Sequence, residues 1–266
     1  MIPAGKTTFY RLSAEELQRS KTRDSIGLLA EKRLHATLKR WVADDFSLHE
    51  VRVRSETGSK RYAVADVCLE NGEIAEIQTG ALYPLCRKMD FYMRETTRRV
   101  TLIHPVLTEK YISRIGGGGE VGARRKSPKK ETVLAAAGQL KPFVHYFETG
   151  RFEVWFVLLT AEEFRLAAPL KKGKGRGVRR YELIPTELHG VTVLQGVQDL
   201  LPLLPPDLPE SFTAKEFAAK ARPIGGFALY DLLAVLEAGG ILQKCGKKGR
   251  SFVYRLPPAA PASPAG

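Results

Sequence analysis

Cysteine is scarce in this sequence, and the few copies stand far apart. Only Cys68, Cys86 and Cys245 occur in 266 residues. That excludes a disulfide scaffold and any C-x-x-C zinc site. The five histidines (His35, His49, His104, His145, His189) are isolated and form no metal-spaced pair. No apolar run reaches the roughly 18 residues that a membrane helix needs. Met1–Arg11 holds no apolar h-region, so no secretory signal is expected. The expected setting is soluble, reducing and cytoplasmic, with no membrane partner.

Acid is also in short supply. Asp and Glu total 29 against 42 Lys and Arg, a formal net charge of +13. The excess is clustered. One block holds Arg124, Arg125, Lys126, Lys129 and Lys130. A second holds Lys171, Lys172, Lys174, Arg176, Arg179 and Arg180, with no acid among them. A third holds Lys244, Lys247, Lys248 and Arg250. Such blocks either form solvated faces or wait for a polyanion. Three together point to nucleic acid.

The chain length suits one large domain or two smaller ones. Residues 1–23 read as a polar leader, either loose or a short helix. A helix then runs to about Ala43, capped by Asp24 or Ser25, with Leu34, Leu38 and Trp41 as its apolar stripe. Strands are expected at His49–Ser55, Arg61–Leu69 and Glu73–Thr79, with a turn at Asn71-Gly72. Pro84 opens a second helix, to about Arg98, whose buried stripe is Leu82, Leu85, Met89 and Tyr92. A strand at Val100–Val106 is expected to stop at Pro105.

Basic loops follow at 116–130 and 171–180. Between them lie a helix (Glu131–Phe147) and an apolar strand (Phe152–Leu159). A strand at Tyr181–Ile184 and a helix at Val191–Leu204 complete the body, 24–204. A Pro-rich linker, 205–210, precedes a small unit, 211–256. There Thr213 caps a short helix, Gly239-Gly240 ends a longer one, and two strands flank a basic tip. Helices followed by a basic two-stranded ribbon look like a winged helix. Residues 257–266 are Pro/Ala-rich and expected to be disordered.

Three side chains carry chemical interest: Asp66, Glu76 and Gln78. Each sits in an apolar strand. On one strand, Glu76 and Gln78 share a face because the period is two. Asp66 joins them only in one of two hairpin registers. A two-residue type I′ turn at Asn71-Gly72 pairs Glu70 with Glu73 and puts Asp66 and Glu76 on opposite faces. A three-residue loop with Gly72 left-handed pairs Leu69 with Glu73 and sets Asp66 opposite Glu76. Both remain open on sequence alone. Two facing buried carboxylates repel, and a divalent cation with oxygen ligands, Mg2+ or Mn2+, would relieve that. The alternative is salt bridges to Arg52, Arg54, Lys60 or Arg61.

The order helix, strand, Asp66 strand, Glu76-Ile77-Gln78 strand, helix, strand resembles the PD-(D/E)XK nuclease superfamily over about Asp24–Val106. The resemblance implies an α/β fold: a restriction-endonuclease-like mixed sheet flanked by helices, followed by the winged-helix-like unit. It implies Asp66 and Glu76 as metal ligands. In that superfamily a Lys two residues after the second acid orients water. Gln78 stands there instead, as in a Glu-x-Gln variant. Lys88 is a candidate substitute or else a surface lysine. Glu31 on the first helix is a candidate assistant or else a solvated acid.

The activity so implied is metal-dependent hydrolysis of DNA phosphodiesters. A degenerate nuclease fold that binds DNA without cutting is the alternative, and an assembly protein using the winged helix is a third. Homodimerisation stays open. Sequence-specific readout by Phe227–Ala238 is not expected, because it carries no Arg, Asn or Gln.

Overall fold

The computed structural model describes residues 5–21, 33–116, 120–167, 178–221, 224 and 226–257. Glu31, Lys171, Lys172, Lys174 and Arg176 lie outside the described residues, as do the proposed helix cap at 24–25 and most of the 257–266 tail. The chain divides into two units. One comprises residues 1–132 and 151–193, the other 133–150 and 194–266.

The first unit is α/β. Its elements are α1 (Lys6–Lys21), α2 (Arg33–Val42), β1 (His49–Arg54), β2 (Tyr62–Cys68), β3 (Ile74–Ile77), α3 (Cys86–Glu95), β4 (Val100–Ile115), β5 (Arg125–Lys126), β6 (Phe152–Ala167) and β7 (Val178–Leu194). A mixed sheet runs β1-β2-β3-β4-β6-β7, with β5 attached to β4. β1–β2 and β2–β3 are antiparallel, whereas β3–β4 and β4–β6 are parallel.

Alternation along the strands decides what each face carries. Val67, Ala75, Ile77, Ile103, Trp155 and Val157 bury against Leu34, Leu38 and Trp41 of α2 and Phe9 and Leu12 of α1. Phe9 meets Trp41 edge-on at 5.8 Å. Glu76, between Ala75 and Ile77, therefore points to the other face, where it meets α3.

Pro105 does not stop β4, which runs on to Ile115. The reason lies in strand direction. Ile74 donates to Arg99 O and Gln78 to Ile103 O, so odd-numbered residues of β4 turn their polar groups toward β3. β3 has ended by Ile77. The missing N–H of Pro105 thus faces no strand partner. Two residues on, Leu107 exchanges bonds with Glu131 on that same side.

The second unit holds α4 (Val133–Ala137) with a 3-10 stretch (Gly138–Thr149), a 3-10 helix (Val197–Leu203), β8 (Ser211–Thr213), α5 (Ala214–Lys220), α6 (Gly226–Ala238), β9 (Gln243–Lys248) and β10 (Ser251–Arg255). Its sheet is antiparallel in the order β8-β10-β9. Thr213 caps α5 through a reciprocal box with Glu216. Gly240, at φ +72°, follows the end of α6.

Two expectations are corrected. The division at 205–210 does not separate the units, because 133–150 and 194–204 belong with the C-terminal elements. Gly138 shows why: a Cβ there would lie 3.0 Å from Ala228 O and Leu232 N of α6. Nor is Val191–Leu204 one helix. Residues 191–194 finish β7, and only Val197–Leu203 is helical. Gly196 interrupts the pattern, and Pro202 lies within the short 3-10 helix.

Candidate active site

The β2–β3 turn takes the three-residue register. Leu69 N donates to Glu73 O and Gly72 N to Leu69 O, both at 2.8 Å. Gly72 sits at φ +83°, a conformation costly for any side chain. Asn71 Oδ1 accepts from Glu73 N at 3.0 Å and closes the loop. Val67 pairs with Ala75. One step further in the same register, Asp66 stands opposite Glu76 on the α3 face. The ladder stops there, and the Ile77 amide donates to Asp66 Oδ2 at 2.8 Å.

Glu76 is fully buried. Lys88 Nζ donates to its Oε2 at 2.6 Å, and Tyr92 Oη donates to its Oε1 at 2.7 Å. Lys88 and Tyr92 are four apart on α3 and so present on one face. Burial, then the charge of Asp66, push the Glu76 carboxyl up to about 7, against the pull of Lys88 and Tyr92. Burial also raises the Tyr92 phenol, and Glu76 raises it further.

Asp66 behaves oppositely. Burial works against its charge, yet His35, the Ile77 amide and Lys88 outweigh it and hold the carboxyl below its ordinary value. His35 Nε2 of α2 lies 3.3 Å from Asp66 Oδ2. Two adjacent carboxyls are thereby split: one stays ionised and one is poised near neutrality. Such a pair can hold a cation, or hold and release a proton near pH 7.

Arg52, Arg54, Lys60 and Arg61 do not pair with either carboxylate. Arg61 bonds to Glu95 at 2.7 Å, and Arg52 lies over the Tyr62 ring, 4.4 Å from its centroid. Gln78 stands apart from the pair. Its side-chain amide donates to Ala81 O at 2.6 Å, and its backbone carbonyl accepts from His104 Nδ1 at 2.7 Å. Burial lowers the His104 pKa.

The fold thus brings together Asp66, Glu76 and Lys88 of the expected set, and adds His35 and Tyr92. The i,i+4 spacing of Lys88 and Tyr92 was a readable signal. His35 had none, because it lies far from Asp66 in sequence. No group of three or more His, Cys, Asp or Glu gathers as a metal cluster among the described residues.

The basic blocks are less free than their sequence suggests. Arg124 pairs with Glu162 at 3.5 Å and covers the Tyr111 ring, and Lys126 pairs with Glu109 at 2.7 Å. Lys248 lies 3.6 Å from Glu216. Arg125, Lys129, Lys130, Lys247 and Arg250 are exposed and make no ion pair among the described residues. Arg179 and Arg180 fall at the start of β7.

No helix of the described residues is long and apolar enough to cross a membrane. No curated protein and no solved structure matches the chain. One family model does, over residues 32–195, which include the whole carboxylate pair and its partners. The chain belongs to the family described as Domain of unknown function (DUF8091).

Proposed function

We propose that this protein is a metal-dependent deoxyribonuclease of the PD-(D/E)XK type, hydrolysing phosphodiester bonds at Asp66, Glu76 and Lys88. One observation carries the reading: Asp66 and Glu76 face each other where β2 and β3 part, with Lys88 on Glu76.

The donor set fits a hard divalent ion, Mg2+ or Mn2+. Both ligands are carboxylates, and Asp66 Oδ1 has no hydrogen-bond partner among the described residues. The raised Glu76 pKa reflects burial first and the charge of Asp66 second, and a bound cation would offset both. When bound, the ion would supply Lewis acidity toward the phosphoryl group and acidify water. Lys88 would leave Glu76 Oε2 for a phosphoryl oxygen and neutralise developing charge there. Tyr92 would keep Glu76 oriented, and His35 would keep Asp66 ionised. Gln78 holds the strand end through Ala81 and does not replace the lysine.

The second unit supports a nucleic-acid role. Its order of helices, β9–β10 hairpin and short β8 fits a winged helix. The exposed face of α6 carries Phe227, Tyr230 and Asp231 and no Arg, Asn or Gln to read base edges. Phosphate contacts would come from Lys247, Lys248 and Arg250 of the hairpin.

The test is cleavage of plasmid and branched DNA with Mg2+ or Mn2+. Asp66→Ala and Glu76→Ala are expected to lose cleavage and keep binding. Mg2+ is expected to raise the melting temperature of the wild type but not of these variants. Tight binding with no cleavage on any substrate, and no metal effect on melting, refutes hydrolysis and leaves a binding protein built on the same fold.

A further inference from the structure

Beside the carboxylate pair lies an open groove of about 440 Å³ between β2 and α3. Arg61, Tyr62, Val64, Arg87, Lys88 and Phe91 line it. Lys88, which holds Glu76, forms its inner end. Along β2, Tyr62, Val64 and Asp66 alternate onto one face, so the strand itself runs from the groove to the carboxylates. On the edge strand β1, Arg52 pairs with Val64 and Arg54 with Tyr62. Directly paired residues share a face, so both arginines join this side.

The charges here are not spent. Every acid on this rim has its own partner. Glu95 accepts from Ser55, Thr57 and Ser59 and bonds Arg61, which together hold it down at about 2. Glu56 is taken by Thr97 and Arg98. Arg52, Arg54 and Arg87 are exposed and make no ion pair among the described residues. They come from two separate places in the chain, β1 and α3, so no basic block marks them. Tyr62 keeps 53% of its surface exposed although Arg52 lies over it. Cations around a half-open aromatic ring match phosphates around a base.

From Tyr62 to Asp66 the strand rises about 13 Å, at roughly 3.3 Å per residue. That is room for a short run of nucleotides. Resting on the hydrolase reading above, we infer that the groove takes an unpaired DNA strand leading into the site. Its phosphates lie on Arg54 and Arg87, and one base stacks on Tyr62. The substrate class is then DNA with a single-stranded arm, not continuous duplex, because a paired base has no free face for Tyr62.

Binding without metal separates this inference from the chemistry. The probe is a short fluorescein-labelled single-stranded oligodeoxynucleotide, titrated by anisotropy in EDTA at several salt concentrations. Two lost phosphate contacts in Arg54→Ala/Arg87→Ala should flatten the log K against log salt slope by about 1.4, at roughly 0.7 per single-strand contact. Arg54→Lys/Arg87→Lys should keep most of the slope. Tyr62→Ala should weaken binding about fivefold or more, the low end for one stacked base. An unchanged slope in the double alanine variant overturns the inference. So does wild-type preference for a duplex of the same sequence, or failure to bind either form. A flattened slope in a protein that cleaves nothing leaves the groove standing and refutes the hydrolase reading instead.

Discussion

Replacing Glu76 by Gln keeps the size of the side chain and removes its charge. The folded protein holds the Glu76 proton up to about pH 7, whereas an ordinary glutamate releases it near 4.5. Between those values the folded state binds more protons than the unfolded chain. Stability from this group is therefore full below pH 4.5 and is lost as pH rises through 7. The difference amounts to about 3 kcal/mol, at roughly 1.36 kcal/mol per pH unit. Gln does not titrate, and groups common to both chains cancel. The stability of the wild type relative to Glu76→Gln should fall by about 3 kcal/mol between pH 4.5 and 8.

Urea titration followed by tryptophan fluorescence suits the measurement. The protein has two tryptophans, Trp41 and Trp155, and both are buried in the α1–α2 side of the first unit. The signal therefore reports the unit that holds Glu76 and is blind to the other. With m of about 2–3 kcal/mol per M, the relative midpoint should move by about 1–1.5 M. Parallel pH profiles for the two proteins over that range would refute the reasoning. They would mean that Lys88 and Tyr92 fully offset burial and the charge of Asp66.

Two further perturbations test the surroundings. Tyr92→Phe takes one donor from a fully buried carboxylate, so the same titration at pH 8 should show a loss of about 1–3 kcal/mol. An unchanged midpoint would mean that water fills the gap. Gly138→Ala sets a methyl against the backbone of α6 at 3.0 Å and should destabilise the second unit by about 1–3 kcal/mol. Faster hydrogen exchange of the α6 amides, with unchanged tryptophan fluorescence, is the expected result; unchanged exchange would count against that packing.

What the sequence reveals here depends on distance along the chain. The α2 stripe of Leu34, Leu38 and Trp41 and the caps at Thr213 and Gly239-Gly240 are local signals, and the structure bears them out. The two hairpin registers differ by one loop residue and both place Gly72 at positive φ, so the bonds from Leu69 N to Glu73 O and from Gly72 N to Leu69 O decide between them. Pro105 misled because its effect depends on what lies beside the strand, and periodicity carries no such information. β6 runs on beyond its apolar stretch because it stays paired with β4, and there the buried Glu163 is met by Lys110 and Arg165. His35 on Asp66, and the arginines from β1 and α3 on one side of the sheet, are products of tertiary folding alone.

The second unit is not a continuous piece of chain. The path enters it at Val133, leaves at Gly150 and returns at Leu194. During synthesis, the 133–149 segment emerges long before α6, against which it packs. At about 5–20 residues per second, the ribosome needs roughly 4–18 s to deliver the intervening chain. Through that interval the apolar side of the segment, with Leu140, Phe143 and Phe147, waits without its final cover. The same wiring bears on fragments: one cut at 205 would carry α5, α6 and the hairpin, yet leave α6 without the 133–149 segment that packs against it.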